Sequence, residues 1–133
     1  MRNIHCYSLA KDGETKLSEH FRVKEFRCRD GSDPVFVAEL LPIVLEAIRG
    51  IVKTPVYTTS AYRTPAHNDA EGGEAFSQHL RGMAVDIYAE GVSPKELAAA
   101  ARTVMPTWGG VGVYSSRGFV HVDVREEKAD WGE

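Results

Sequence analysis

The sequence predicts one α+β domain, spanning residues 1–133, in which a small and mainly antiparallel sheet is backed by two helices. Two stretches carry apolar residues at helical spacing, and several shorter stretches alternate between apolar and polar residues in the manner of strands. With 133 residues, of which 43% are apolar and 26% charged, the chain has the size and composition of one globular domain with one core.

Residues 1–32 are polar and broken by turns around a short apolar patch between Phe21 and Phe26. We therefore expect this segment to be an arm packed on the domain. Cys6 and Cys28 lack the paired short spacing of a structural zinc knuckle, so we expect free, partly buried thiols.

The first predicted helix runs from Pro34 to Arg49, where apolar residues recur at helical spacing and Gly50 offers a stop. Pro42 lies in the middle of this stretch, where it removes one backbone donor and favours a kink. A short strand is predicted over 55–61, which is rich in Val, Tyr and Thr and leads to a corner at Arg63.

From His67 to Gln78 the chain is rich in Asn, Asp, Glu and Gly, and a long surface loop, with or without a helical turn, is expected there. The stretch from Met83 to Tyr88 alternates as a strand, with Asp86 on the face opposite its apolar residues. Ser93 and Glu96 have the spacing of a capping box, and they predict the start of the second helix.

Two final strands are predicted over 110–114 and 118–125, joined by a short turn as a hairpin. Along the second strand, valines occupy one face, and polar residues that include His121 and Asp123 occupy the other. Residues 126–133 form a tail, whose Trp131 is expected either to pack on the core or to fold back over this polar face.

Three of these polar residues offer a zinc site, namely His79, Asp86 and His121. Catalytic zinc takes three N or O ligands and keeps a fourth position open, where bound water has a pKa of about 7. The spacing alone is a weak signal, because five histidines and nineteen acidic residues in a short chain make chance pairings inevitable.

Three ordered motifs give the sequence a specific resemblance to a known family. Residues 60–68 read SAYRTPAHN, residues 77–86 read SQHLRGMAVD and residues 118–123 read GFVHVD. Together they resemble the zinc D-alanyl-D-alanine carboxypeptidase and endolysin-peptidase family, peptidase family M15. Its superfamily includes the lysostaphin-type enzymes and the Hedgehog signalling domain. The resemblance covers about Leu17 to Arg125.

The resemblance implies a Hedgehog/DD-peptidase-like fold and a role for each residue of the motifs. His79, Asp86 and His121 would bind Zn²⁺. Arg63 would bind a substrate carboxylate or peptide carbonyl, a role that suits its planar fork of donors. Ser77 would lie beside the substrate or support its loop.

Two residues of the first motif have other interpretations that do not involve substrate or metal. Arg63 also fits a solvated ion pair with Glu71, Glu74 or Asp86. His67 is expected to hold the loop by hydrogen bonds rather than to touch the metal.

The catalytic residue that accompanies the metal is the point where this sequence departs from the wider superfamily. Many relatives read His-x-His in the last strand, with the first histidine assisting catalysis, whereas this chain has Phe119 there. Asp123 is the candidate, because it shares the face of His121. It would either take the proton of the water or orient the imidazole of His121, and the sequence leaves both roles open.

The implied reaction is metal-assisted hydrolysis of peptide bonds in peptidoglycan stem peptides, by a D,D-carboxypeptidase or an endolysin-type endopeptidase. One alternative is a non-catalytic zinc-containing module that binds a cell-wall peptide or a protein, which the Phe119 replacement keeps open. Another is an iron oxygenase, since His121 and Asp123 with another histidine resemble a triad of two histidines and one carboxylate, although no histidine follows His121 in the expected order.

Composition disfavours several other partners. The net charge is only -3 and the basic residues are scattered, so we expect neither a nucleic acid nor a membrane partner. No stretch approaches the roughly 18 apolar residues of a membrane span, and the first ten residues lack an apolar signal core. We expect a monomer that is synthesised in the cytoplasm and acts on the cell wall after release, as in phage or prophage lysis. A cytosolic dipeptidase and a protein secreted by another route are the alternatives.

Overall fold

A computed structural model of the chain describes residues 2–132, which form two β-sheets and four α-helices. The smaller sheet pairs β1 (Ile4–Ser8) with β2 (Pro34–Ala38). The larger sheet has the order β3-β4-β6-β5-β7, with strands Tyr57–Ser60, Ala84–Tyr88, Phe119–Asp123, Gly110–Tyr114 and Ala129–Gly132. The helices are α1 (Leu9–Asp12), α2 (Leu40–Val52), α3 (Pro65–Ala70) and α4 (Pro94–Val104). Short 3₁₀ turns cover Val23–Phe26, Gln78–Arg81 and Ser115–Arg117.

The larger sheet is antiparallel except at one edge, where β7 runs parallel to β5. Helices α2 and α4 pack on each other, and α4 lies against β5 and β6. These contacts confirm the prediction of an α+β fold with helices behind a mainly antiparallel sheet. Within residues 2–132, no helix has both the length and the apolar character needed to span a membrane.

Local patterns located two elements well. Helix α4 begins at the predicted capping box, where the Ser93 hydroxyl accepts a hydrogen bond from the backbone of Glu96. Strands β5 and β6 form the predicted hairpin, with Tyr114 opposite Phe119 and Gly118 at positive φ in the turn.

The single helix predicted from Pro34 to Arg49 is wrong. Residues Pro34–Ala38 form strand β2, and α2 begins only at Leu40. Val35 and Val37 are buried in the strand. Val37 lies three and four residues before Leu40 and Leu41, so the strand residue fitted the helical spacing of the residues that follow. Pro42 is the third residue of α2, where a backbone N–H has no acceptor within the helix, so it interrupts no hydrogen bond there.

The two ends of the chain contain strands that the sequence patterns did not indicate. β1 lies in the N-terminal arm and pairs with β2, while Phe21 and Phe26 of the arm belong to the same core as the helices. β7 lies in the C-terminal tail, where only four residues pair with β5. Both thiols are free; Cys28 is buried and Cys6 is exposed.

Gly82 joins the turn before β4 to the smaller sheet. Its φ of 69° lies in the left-handed region, and its carbonyl accepts a hydrogen bond of 2.8 Å from the Ala38 amide. A β-carbon at Gly82 would overlap the backbone carbonyl of Phe36. The glycine of the second motif is therefore required twice, by its backbone angle and by the close approach of β2.

We predict that Gly82→Ala lowers the free energy of unfolding by more than 2 kcal/mol, because about 1–2 kcal/mol from the positive φ is added to the overlap with β2. Gly91→Ala is the matched control, since Gly91 has a φ of 74° but no atom within 4 Å of an added β-carbon. Urea unfolding of both variants gives the comparison. Equal losses would contradict the close approach at Gly82.

Candidate metal centre

Three predicted ligands meet on one face of the larger sheet, where β4 and β6 are paired. β4 and β6 are paired so that Asp86 lies directly opposite His121, and the 3₁₀ turn before β4 carries His79. Asp86 Oδ1 lies 3.3 Å from His79 Nε2 and 3.4 Å from His121 Nδ1. The three side chains offer ligand atoms within 4.8 Å of one another, and the residues are only 3%, 6% and 8% exposed.

Hydrogen bonds fix which ring nitrogen of each histidine faces Asp86. His79 Nδ1 donates to the Ala61 carbonyl over 2.7 Å, and His121 Nε2 lies 2.7 Å from Asp123 Oδ2. In the neutral rings, the lone pairs of His79 Nε2 and His121 Nδ1 are left facing Asp86. Holding the far nitrogen in this way is typical of metal-ligating histidines, and two imidazoles with a carboxylate fit Zn²⁺.

Asp123 lies behind His121, away from the point where the three ligand atoms meet. Its carboxylate is fully buried and accepts hydrogen bonds from the Gly110 amide, the Arg125 amide and the Arg125 guanidinium in addition to His121. Of the two roles left open for Asp123, this geometry favours orientation of the His121 ring. It also differs from the suggested iron triad, since the carboxylate between the two histidines is Asp86.

The buried charges at the centre stabilise one another. Burial by itself raises the pKa of Asp86, but hydrogen bonds to His121 and His79 outweigh it and hold that pKa well below its ordinary value. Burial also disfavours a charged Asp123, yet His121 and Arg125 lower its pKa. For His121, burial lowers the pKa, and the hydrogen bonds to Asp123 and Asp86 raise it above the ordinary value. A bound cation would therefore compete with a proton on His121.

Arg63 lies beside this centre and also lines the cleft in front of it. Its Nη2 is 3.5 Å from Asp86 Oδ2, which is one of the ion pairs considered for it. Its Nε donates to the Ser60 hydroxyl and its Nη1 to Asn68 Oδ1, over 3.1 and 3.2 Å. The guanidinium is thus held in place while part of it still faces the cleft.

Ser77 and His67 both lie in the segment between β3 and β4. The Ser77 hydroxyl accepts a hydrogen bond from the His79 amide and also lines the cleft, so it is placed for either of the roles expected of it. His67 lies in α3, with Nε2 3.3 Å from Glu71 Oε1, and it does not belong to the group of His79, Asp86 and His121.

The cleft in front of the centre has a volume of about 570 Å³. One wall is formed by Tyr114, Arg117 and Phe119, with the Tyr114 and Phe119 rings stacked at 4.7 Å. Phe119 stands where the superfamily often has its assisting histidine. Arg117 was not anticipated, because nothing in the turn sequence distinguishes it from an ordinary surface arginine.

Trp131 folds over the site, which is one of the two expectations for the tail. Its ring lies 5.0 Å from the His121 ring, and its Nε1 donates to the Tyr114 hydroxyl over 2.9 Å. A β-carbon at Gly112 would overlap the indole, so this glycine leaves the space that Trp131 occupies. Strand β7 therefore places an aromatic side chain against a candidate ligand.

Comparison with known proteins agrees with the motifs. A sequence profile of the family described as Peptidase M15 matches residues 18–123. The peptidoglycan L,D-endopeptidase MepK of Escherichia coli (strain K12) is 33% identical over 113 residues, which cover 81% of this chain and 59% of that protein. The protein of the same name from Shigella flexneri matches to the same extent. The chain thus spans 59% of the length of these curated relatives.

We predict that the metal-free chain is most stable between about pH 4 and pH 6.5. The lowered pKa values of Asp86 and Asp123 contribute stability that is present above the ordinary Asp value of 3.8 and lost as pH falls further. The raised pKa of His121 contributes stability that is present below 6.5 and lost as pH rises through the raised value.

Chemical unfolding in the presence of a chelator, measured from about pH 3 to pH 9, tests this dependence. His121→Gln should remove most of the decline on the alkaline side. An unchanged alkaline decline in that variant would show that another group is responsible.

Proposed function

Since the chain belongs to the peptidase M15 family, we propose that it is a zinc-dependent peptidase that cleaves peptide bonds in peptidoglycan stem peptides. The observation that carries the proposal is the meeting of His79, Asp86 and His121 in a buried centre that opens on a cleft. The peptidoglycan substrate is supported by the name of the MepK relatives. That name also favours an endopeptidase over the carboxypeptidase that the motifs equally allowed.

His79, Asp86 and His121 are the residues proposed to hold Zn²⁺. When bound in such a site, zinc activates water and polarises the scissile carbonyl. Two hydrogen bonds orient the histidine rings: Asp123 holds the His121 ring, and the Ala61 carbonyl holds the His79 ring. Arg125 in turn holds Asp123 with two guanidinium hydrogen bonds of 2.8 and 2.7 Å. We therefore propose that Asp123 acts as a positioning residue.

Arg63 is proposed to bind the peptide. Its guanidinium lies against Asp86 at the edge of the cleft and is anchored by Ser60 and Asn68, so little side-chain freedom remains to be lost when a carboxylate or carbonyl binds. Donors arranged in a planar fork suit a substrate carboxylate. Ser77 is placed to contact the same peptide from the loop side.

Three arginines and three acidic residues line the cleft, namely Arg63, Arg117 and Arg125 with Glu71, Glu74 and Asp86. Arg63 and Arg125 are paired with Asp86 and Asp123. Within residues 2–132, Arg117 has no carboxylate within ion-pair distance and instead lies over the Phe119 ring at 5.0 Å. A cation held on an aromatic surface at the mouth of the cleft is suited to receive an acidic group of a stem peptide.

The remaining expectations rest on the resemblance alone. A monomeric state and a role in phage or prophage lysis stay predictions. The second candidate function is a non-catalytic zinc module that binds cell-wall peptides, which the aromatic Phe119 in the cleft would also suit.

The direct test of activity is mass spectrometry of muropeptides after incubation with zinc-loaded protein. We predict a zinc-dependent product from cleavage at one type of peptide bond, and the mass of the product identifies that bond. Chelator-treated protein and Asp86→Ala are the negative controls. Retention of zinc without any product from several wall types would favour the binding module.

We also predict that His79→Ala, Asp86→Ala and His121→Ala each lose one equivalent of zinc relative to the wild type, measured by elemental analysis. Asp123→Asn should retain most of that zinc and lose activity by roughly 10- to 100-fold, as expected when the partner of a metal-ligating histidine is changed.

Asp130→Asn is the matched control for Asp123→Asn, because Asp130 also pairs with an arginine, Arg102, but at an exposed position. It should leave both zinc content and activity near the wild-type values. Full zinc retention by His121→Ala would contradict the ligand assignment, and full activity of Asp123→Asn would contradict the positioning role.

A further inference from the structure

A second group of metal-ligating side chains lies outside the cleft, formed by Cys28, Asp30 and His67. The Cys28 thiol, a carboxylate oxygen of Asp30 and a ring nitrogen of His67 all lie within 4.8 Å of one another. None of the three lines the cleft described above. Two of them come from the N-terminal arm and the third from α3.

One ring nitrogen of this group is buried and makes no hydrogen bond in the described part of the chain. His67 Nε2 is inaccessible to solvent and makes no hydrogen bond within residues 2–132, although Glu71 Oε1 lies 3.3 Å away. The side chain of His67 is only 14% exposed. A buried polar atom left unbonded costs free energy and requires a physical explanation, of which a bound ion is one.

The other two side chains both contact Thr64. Cys28 is fully buried, with its sulfur 4.0 Å from the Thr64 hydroxyl. Asp30 accepts hydrogen bonds from the Thr64 hydroxyl and the Ser32 amide, over 2.9 and 2.8 Å. Because Asp30 is exposed, an ion has a route from solvent.

We propose that Cys28, Asp30 and His67 form a second zinc site with a structural role. A thiolate, an imidazole and a carboxylate are donors that zinc accepts, whereas Mg²⁺ and Ca²⁺ prefer oxygen alone. Zinc bonds of about 2.0–2.3 Å require the donor atoms to approach one another more closely than 4.8 Å, which small side-chain rotations achieve. A water completes the set of four.

Such an ion would tie the arm to the part of the chain that holds Arg63. Thr64 caps α3, and it follows Arg63 directly. Asn68 lies in the same helix, bonds to Arg63 Nη1 and follows His67. The ion at this second site is thus placed to fix the arm and the substrate-binding arginine relative to each other, without taking part in the chemistry of the cleft.

Cobalt provides the sharpest test, because only the second site contains sulfur. The full chain carrying Asp86→Ala and His121→Ala, which disables the cleft site, is titrated with Co²⁺ and followed by ultraviolet and visible absorption. We expect one equivalent to bind with a thiolate-to-cobalt charge-transfer band. Adding Cys28→Ser should abolish the band, while adding Cys6→Ser, the exposed thiol, should leave it unchanged.

A second readout covers the case in which Cys28→Ser fails to fold. In the same double variant, Zn²⁺ should raise the melting temperature, and His67→Gln or Asp30→Asn should remove most of that increase. Absence of the thiolate band together with no zinc-dependent rise would overturn the proposal. Because the double variant has no functional cleft site, this outcome is independent of whether the wild-type protein cleaves muropeptides.

Discussion

The pairing of β4 with β6 is the constraint on which the candidate centre depends. It sets Asp86 opposite His121 on one face of the sheet, while valine and isoleucine side chains of the same strands are buried on the other face. A slip of one residue would turn these apolar side chains to the cleft and the polar ones into the core, so burial itself enforces the register. The alignment of the two proposed ligands is therefore a by-product of core packing.

Two glycines of the neighbouring strand β5 leave room for the side chains that surround His121. Strand β5 has Gly110 and Gly112 at two successive positions on the cleft-facing side, and side chains there would overlap Asp123 and Trp131 respectively. The space left by the first glycine admits the carboxylate that holds His121, and that left by the second admits the indole that covers it. These small residues determine where the centre's supporting groups lie.

Much of the central sheet could be predicted from the sequence, because α4, β4 and the β5–β6 hairpin have local signals in capping residues and alternation. β1, β2 and β7 were not predicted. β1 and β2 pair with each other across a long stretch of sequence, and β7 has only four residues. For the site, alternation placed His121 and Asp123 on one face, and the family motifs selected the ligands. Which ring nitrogen faces inwards depends on Ala61 and Asp123, and only three-dimensional packing fixes these contacts.

The most direct test of the proposed centre is a crystal structure of the zinc-loaded protein with the anomalous signal of zinc recorded. We expect an ion bound by His79 Nε2, His121 Nδ1 and a carboxylate oxygen of Asp86, with Asp123 still hydrogen-bonded to His121 Nε2. Zinc bound through His121 Nε2 or Asp123, or no zinc between His79 and His121, would contradict this account of the site.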